Sequence, residues 1–158
     1  MSMRAAVVVA SNRAAAGVYD DATGPLLVDF LTSLGFSCEA PTVVPDGDPV
    51  GAAIAVAADG GARVVLTTGG TGLTPTDLTP EVTRPLLERE IPGISEAIRG
   101  YGVGQGVPTA SLSRGLAGVR GSCLVVNLPG SRGGVKDAMA VLEPLLVHAV
   151  EQIVGSDH

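Results

Sequence analysis

The chain of 158 residues contains no tryptophan, two phenylalanines, two tyrosines and a single lysine, Lys136. Charged residues make up 16% of it, and its formal net charge is −6. Because there is no basic run and stacking side chains are scarce, nucleic acid is excluded as an expected partner. An anionic ligand would have to be held locally, by main-chain N–H groups, a few arginines or a metal ion.

Cysteine and long apolar segments are also scarce. Cys38 and Cys123 form no metal-binding pattern, so we expect two reduced thiols in a cytoplasmic protein. The apolar run at residues 5–10 is too short for a signal peptide and predicts a buried strand. The longest uncharged stretch, residues 100–113, is shorter than the roughly 18 residues of a transmembrane helix, so no membrane segment is expected.

Apolar runs of strand length alternate with helical patterns along the chain, without an internal repeat or a linker. This alternation predicts a single α/β domain over residues 1–158, a three-layer sandwich with a mainly parallel central sheet and a small β-hairpin addition. The predicted strands are residues 5–10, 37–44, 63–67, 110–114, 117–120 and 122–127. The predicted helices are residues 25–34, 48–60, 79–90, 93–100 and 134–154, and residues 100–106 are a predicted loop.

Residues 64–72, Val-Val-Leu-Thr-Thr-Gly-Gly-Thr-Gly, join a buried strand to a glycine-rich loop. Open α/β sheets bind ligands at the carboxyl ends of such strands, and glycine lets a ligand approach the main chain closely. A helix that begins near Thr79 adds a partial positive charge. The pattern favours phosphate or another anion, and an ordinary tight turn is the alternative. The loop lacks both the Walker A lysine and the Gly-x-Gly-x-x-Gly fingerprint of dinucleotide sites.

Several further motifs occur in a fixed order around this loop. They are Ser11 and Arg13, Asp21 with Gly24-Pro25, Pro45-Asp46, Asp77 with Thr79-Pro80-Glu81, Ile91-Pro92-Gly93, Leu112-Ser113-Arg114, Ala117-Gly118-Val119 and Asn127-Leu128-Pro129-Gly130-Ser131. Together with the loop they resemble the MogA/MoaB family of molybdenum-cofactor biosynthesis, which is also found as the G domain of gephyrin. The resemblance covers nearly the whole chain and implies a molybdopterin-binding-domain-like fold.

The resemblance also implies a reaction. Members similar to MogA are molybdopterin adenylyltransferases, which transfer AMP from Mg-ATP to the terminal phosphate of molybdopterin and release pyrophosphate. The expected substrates are therefore molybdopterin and ATP, and the expected cofactor is Mg²⁺. Such chemistry needs alignment and charge neutralisation rather than a nucleophile of the protein. The resemblance further implies a homotrimer, or a hexamer of two trimers, and a downstream metal-insertion protein as a partner.

Asp46 and Asp77 match the two aspartates that the family treats as essential, and we expect them to be catalytic and to hold the metal. The alternatives are a turn former for Asp46 and a helix cap for Asp77. Glu81 could equally be an acid that favours a helix start, and Arg114 a surface charge. The residues expected to bind pterin or nucleotide are Ser11, Arg13, Thr68, Gly69, Gly70, Thr71, Gly72, Glu81, Ser113, Arg114, Asn127, Pro129, Gly130 and Ser131.

Three departures from the family pattern keep another function open. Thr76 stands where several adenylylating members carry an arginine, and Asn12 replaces a commonly acidic residue. The usual Pro-Lys after residue 131 is also absent, so Arg132 or Lys136 would have to supply that cation. The alternatives are a non-catalytic molybdopterin-binding protein of the MoaB type and a trimeric scaffold of the same pathway.

Overall fold

The computed structural model describes residues 3–17 and 22–155, so the predicted motif residue Asp21 lies outside the described residues. Over these two ranges, no helix has both the length and the apolar character that a membrane crossing requires. The strands are β1 (Arg4–Ala10), β2 (Ser37–Cys38), β3 (Thr42–Val44), β4 (Val64–Thr68), β5 (Arg89–Glu90), β6 (Ala117–Arg120) and β7 (Cys123–Leu128). The α-helices are α1 (Asn12–Ala15), α2 (Gly24–Ser33), α3 (Asp48–Asp59), α4 (Thr79–Thr83), α5 (Pro92–Gly104), α6 (Arg132–Leu142) and α7 (Leu146–Ile153).

The seven strands within residues 3–17 and 22–155 belong to one mixed sheet with the order β2-β1-β4-β7-β6-β5, and β3 also pairs with β1. Strands β1 to β4 and β7 run parallel, so their carboxyl ends meet at one edge of the sheet. Strand β6 returns antiparallel to β7 through a turn at Gly121, whose φ is +58°, and β5 is antiparallel to β6. The predicted α/β class and mainly parallel sheet are confirmed, and the predicted hairpin lies within the same sheet.

The two faces of the sheet are covered unequally. Side chains alternate along the central strands: Leu66 and Val126 face a large core with α2, α5, α6 and α7, whereas Val65 and Val125 face a smaller core with α3. Because both faces are buried, the strands have continuous apolar runs instead of a polar alternation. Helices therefore cover the sheet on both sides, as the predicted three-layer sandwich requires.

Two sequence predictions of secondary structure are wrong. Residues 110–114 were expected to be a strand, but Pro108–Leu112 is a 3₁₀ helix, closed by local bonds such as Ala110 N–H to the Val107 carbonyl at 3.0 Å. The expected loop at residues 100–106 is helical as far as Gly104. Glycine is required within that helix because a Cβ at Gly102 would lie 2.6 Å from the Ala110 Cβ.

Three predicted elements are divided where proline removes a main-chain donor. The strand expected over residues 37–44 is split into β2 and β3 around Pro41. The helix expected over residues 79–90 becomes α4, a 3₁₀ turn (Arg84–Leu86) that contains Pro85, and β5. The last helix breaks between α6 and α7, beside Pro144. Proline therefore ends these elements at positions where the apolar periodicity alone predicts that they continue.

The attachment of α3 to its side of the sheet can be tested by mutation. Ile54 is fully buried in the smaller core, so Ile54→Ala should lower the free energy of unfolding by about 2–5 kcal/mol. Val56, on the same helix, is 75% exposed, and Val56→Ala should change the free energy of unfolding by less than about 0.5 kcal/mol. Urea unfolding of both variants measures the difference, and equal losses would contradict this packing.

Candidate active site at the carboxyl edge of the sheet

The two predicted ligand loops, residues 68–72 and 127–131, touch each other at the carboxyl ends of β4 and β7. The Thr68 hydroxyl donates to the Pro129 carbonyl at 2.7 Å, and the Gly69 N–H donates to the Leu128 carbonyl at 3.1 Å. A Cβ at Gly130 would lie 3.2 Å from the Gly69 Cα. The structure therefore brings both loops into one site, where only main chain fits between them.

The glycine-rich loop after β4 depends on backbone conformations that other residues rarely adopt. Gly69 and Gly70 have φ values of +93° and +70°, and a Cβ at Gly69 would collide with the Ala10 carbonyl. Over the described residues, no hydrogen bond engages the N–H groups of Gly70, Thr71 and Gly72. Three successive main-chain donors thus remain available to a ligand.

The two predicted aspartates approach this loop from different segments. Asp46 follows β3, and its N–H donates to the Asn12 side-chain oxygen at 3.0 Å. Partial burial, and then the charge of Asp77, raise the pKa of the Asp46 carboxyl. Asp77 accepts from the Thr74 N–H at 3.0 Å, and a Cβ at Gly72 would lie 2.8 Å from its Oδ2. The carboxylates are therefore close enough to repel each other.

This arrangement fits a magnesium ion. Among the described residues, no group of three or more histidine, cysteine, aspartate or glutamate side chains could hold a metal ion. Magnesium commonly binds one or two carboxylates and completes its shell with water and substrate phosphates. The fit rests on the position of Asp46 beside Gly70 and of Asp77 beside Gly72, and on the repulsion between the two carboxylates, which a cation would relieve.

Arg114 crosses from the 3₁₀ helix to the glycine-rich loop and holds it at several points. Its Nε donates to the Gly72 carbonyl at 2.9 Å, and its Nη2 donates to the Asp77 carbonyl at 2.7 Å. Its two Nη atoms also form a bidentate pair with Glu81, at 2.7 and 3.1 Å. Four of the five guanidinium N–H groups are thereby used, which leaves at most one for a substrate phosphate.

Glu81 forms an ion pair with Arg114, which determines the charge state and the contacts of the Glu81 carboxyl. Hydrogen bonding from Arg114, before any other influence, lowers the pKa of the Glu81 carboxyl, and Glu81 remains half-exposed. An exposed pair of this kind contributes little stability by itself. Its effect is to orient the guanidinium toward the loop. Ligand contact by Glu81 and Arg114 stays a prediction, whereas their mutual contact is a property of the fold.

The side chain of Asn127 bonds to groups on β4, on α4 and just before β6. Its side chain is buried, donates to the hydroxyls of Thr67 at 3.0 Å and Thr83 at 3.2 Å, and accepts from the Leu116 N–H at 3.0 Å. Both polar atoms of the amide are therefore satisfied within the protein, and they connect β4, β7 and α4. Contact between Asn127 and a ligand stays a prediction.

The other predicted residues surround the two loops. Ser113 donates to the Thr71 hydroxyl at 3.2 Å. Ser131 and Ser11 cap helices, since their hydroxyls accept from the N–H groups of Gly134 at 3.1 Å and Ala14 at 3.2 Å. Arg13 is exposed on α1. Ser113 and Ser131 thus lie at the loops, and Ser11 and Arg13 lie at the end of β1.

Two cavities adjoin the contact between the loops. One of about 510 Å³ lies between α5, the 3₁₀ helix and the start of α6, and is lined by Ser113, Pro129, Ser131, Arg99 and Lys136 among others. Its volume is typical of a small-molecule site. The other, of about 130 Å³, is lined by residues that include Ser11, Thr68, Gly69 and Gly130. Seven of the predicted residues therefore line these two spaces, whereas Asp46, Asp77 and Gly70–Gly72 line neither.

Sequence reasoning missed the supporting residues. Asn12 was treated as a departure that removes a charge, yet its amide holds Asp46. Arg99 Nη1 donates to the Ser113 and Gly115 carbonyls, each at 3.2 Å, and was not considered. These partners are 14 to 34 residues apart along the chain, so no local pattern could have revealed them.

The role of Arg114 in holding the loop can be measured by hydrogen exchange. In Arg114→Gln, the amides of Asp77 and Thr79, which bond within the loop, should exchange about tenfold faster because hydrogen bonds to a charged group are lost. Arg120→Gln is the matched control, since Arg120 makes a similar bidentate pair with Asp59 outside the site. Unchanged exchange in Arg114→Gln would show that the loop is held by other contacts.

The comparisons with known proteins agree with this geometry. Residues 6–148 match the family model described as a probable molybdopterin binding domain. The chain is 40% identical to the molybdenum cofactor biosynthesis bifunctional protein of Chlorobaculum tepidum, over 98% of this chain and 50% of that protein. It is 33% identical to the molybdopterin adenylyltransferase of Helicobacter pylori strain J99, over 95% of this chain and 87% of that protein.

A solved structure agrees equally well. The molybdopterin biosynthesis Mog protein from Mycobacterium ulcerans is 44% identical and superimposes with a TM-score of 0.93, covering 99% of both chains. The chain spans about half the length of the two bifunctional relatives from Chlorobaculum tepidum and Synechococcus elongatus. Sequence and fold agree over almost the whole chain, which therefore belongs to the MogA/MoaB family of molybdenum-cofactor biosynthesis.

Proposed function

We propose that the protein is a molybdopterin adenylyltransferase, which transfers AMP from ATP to the terminal phosphate of molybdopterin. The observation that carries the proposal is the set of main-chain donors at Gly70–Gly72, which engage no hydrogen bond in the described residues and lie beside Asp46 and Asp77. Donors and two carboxylates together suit a phosphate accompanied by a divalent cation. The name of the Helicobacter pylori relative supports the same activity.

In the proposed step, an oxygen of the pterin phosphate forms a bond to the α-phosphorus of ATP. The bond from that phosphorus to the bridging oxygen breaks, and pyrophosphate leaves with the bonding electrons. The glycine-rich loop would donate its N–H groups to the phosphate oxygens and so orient the α-phosphate. Since the two substrates supply both reacting groups, no side chain of the protein needs to form a covalent bond.

The two aspartates would hold Mg²⁺ between them. When bound, the ion would neutralise the phosphate charges of ATP and stabilise the charge that develops on pyrophosphate. Asn12 and the turn around Thr74 keep the two carboxylates at the loop. The residues of the chain would thus contribute position and main-chain donors, and the ion would supply most of the positive charge.

The two cavities would divide the substrates. The cavity of about 510 Å³ beside Ser113, Pro129 and Ser131 is large enough for a pterin, and Lys136 at its margin supplies a cation near the start of α6. The smaller cavity at Gly69 and Gly130 has the size of a phosphate group with its water. Pro129 and Ser131 of the larger cavity flank Gly130 of the smaller one along the chain, and the reacting phosphates would meet near this segment.

Asp77→Asn tests the proposal. Wild-type protein incubated with molybdopterin and Mg-ATP should release pyrophosphate and form adenylylated pterin. The variant keeps the shape of the side chain and loses its charge, so it should bind the pterin normally and turn over at least about 100-fold more slowly. Asp29→Asn, a change of the same kind at an exposed residue of α2, is the control and should leave pterin binding and turnover unchanged.

The same assay tests the second candidate, a MoaB-type binding protein. Thr76 is exposed, its hydroxyl lies 3.4 Å from the Thr74 hydroxyl, and as a neutral side chain it supplies no positive charge at this position. Tight pterin binding by the wild type without pyrophosphate release would replace the transferase with this binding function. Binding of neither pterin nor ATP would instead favour the scaffold.

We also propose that the protein assembles as a homotrimer. Exposed apolar side chains such as Leu73, at 65%, and Leu112, at 50%, would be available to such an interface. Sedimentation equilibrium should give three times the mass of one chain. Six times that mass would indicate paired trimers, and the mass of one chain would contradict the proposal.

A further inference from the structure

Three buried side-chain oxygens have no hydrogen-bond partner among the described residues. They are Asp46 Oδ1, Thr79 Oγ1 and Ser95 Oγ. Buried polar atoms are nearly always paired in native proteins, because an unpaired one costs free energy. An orphaned oxygen therefore indicates either tolerated strain or a partner that another state of the protein supplies. The first two of these atoms lie at the candidate active site, and Ser95 is on α5.

Asp46 Oδ1 and Thr79 Oγ1 lie beside the same glycine. A Cβ at Gly70 would contact the Thr79 hydroxyl and would lie 2.7 Å from Asp46 Oδ1, so both oxygens border the space that a side chain would fill. The Thr79 N–H also donates to the Gly70 carbonyl at 3.1 Å, which fixes the start of α4 against the loop. A hydroxyl can donate and a carboxylate can accept, so the two unpaired atoms are chemically complementary.

The burial of Thr79 decides how its hydroxyl acts. Thr79 is fully buried, and both unpaired oxygens are closed off from solvent. A hydrated cation would therefore meet Asp46 at its other carboxylate oxygen, and the threonine hydroxyl would serve the carboxylate rather than the ion. Hydrogen bonds to the carboxylates that bind a metal orient those carboxylates. Removing such a bond commonly weakens metal affinity by about 10- to 100-fold.

We propose that Thr79 is a positioning residue for the divalent cation: the two oxygens are not bonded to each other in this structure, and when the cation is bound the Thr79 hydroxyl would donate to Asp46 Oδ1 and turn the other oxygen of Asp46 toward the ion. This inference rests on the proposed function, in which Asp46 and Asp77 hold the cation. It gives Thr79 a role beyond the start of a helix. It also gives Gly70 a second reason to lack a side chain, since a Cβ would separate the two oxygens.

The test uses Mn²⁺ alone as the probe, with binding followed by electron paramagnetic resonance in the absence of nucleotide. Thr79→Val keeps the shape of the side chain and removes the hydroxyl, so Mn²⁺ should bind about tenfold more weakly. Thr79→Ser should restore most of the affinity. Without metal, Thr79→Val should unfold at a slightly higher temperature than the wild type, because an unpaired buried hydroxyl is gone.

Ser95→Ala is the matched control, since it removes an orphaned buried hydroxyl outside the site. It should raise the unfolding temperature without changing Mn²⁺ affinity. If Asp77→Asn weakens Mn²⁺ binding and Thr79→Val does not, the role of Thr79 is overturned and the proposed metal site stands. If the wild type binds no Mn²⁺, or Asp77→Asn binds it equally well, the proposed metal site is overturned and the role of Thr79 with it.

Discussion

The site depends on a steric constraint at the end of β4, where the main chain of Gly69 and Gly70 fits and a side chain does not. At Gly69 the space is taken by the Ala10 carbonyl, and at Gly70 by Asp46 and Thr79. The positive φ of both residues turns the chain across the sheet edge immediately after a fully buried strand. Because the turn is closed on both sides, its position is set by β1 and β7 as much as by its own sequence. The donors that follow it are therefore preorganised.

A second level of support comes from groups that connect this turn to distant segments. The planar fork of Arg114 reaches two carbonyls on either side of the Thr74 turn, a geometry that a lysine could not reproduce. Asn127 joins two strands to α4, and Asn12 holds the segment of Asp46. These contacts share a consequence: Arg114, Asn127 and Asn12 each hold the main chain in place, and ligand contact by Arg114 or Asn127 stays a prediction.

This division explains how far the sequence could predict the structure. The buried strands and the glycine-rich loop were predictable, since continuous apolar runs and Gly-Gly-Thr-Gly act locally. The position of both aspartates followed from the resemblance. The tie from Arg114 to Glu81 spans 33 residues, and the pairing of Asn12 with Asp46 spans 34, so neither leaves a pattern in the sequence. The helix through Gly102 was mistaken for a loop because the reason for its glycine, the contact with Ala110, is tertiary.

The charge of the chain constrains how such a site could bind anions. The net charge is −6, and the guanidinium nearest the loop is already paired with Glu81, so it adds little net positive potential. Asp46 and Asp77 make the local balance more negative, and partial burial, followed by the charge of Asp77, raises the pKa of Asp46. Main-chain N–H groups carry only partial charges. Under the proposed function, a polyphosphate would therefore bind here together with a cation, because the carboxylates would repel the bare anion and attract the complex of anion and cation.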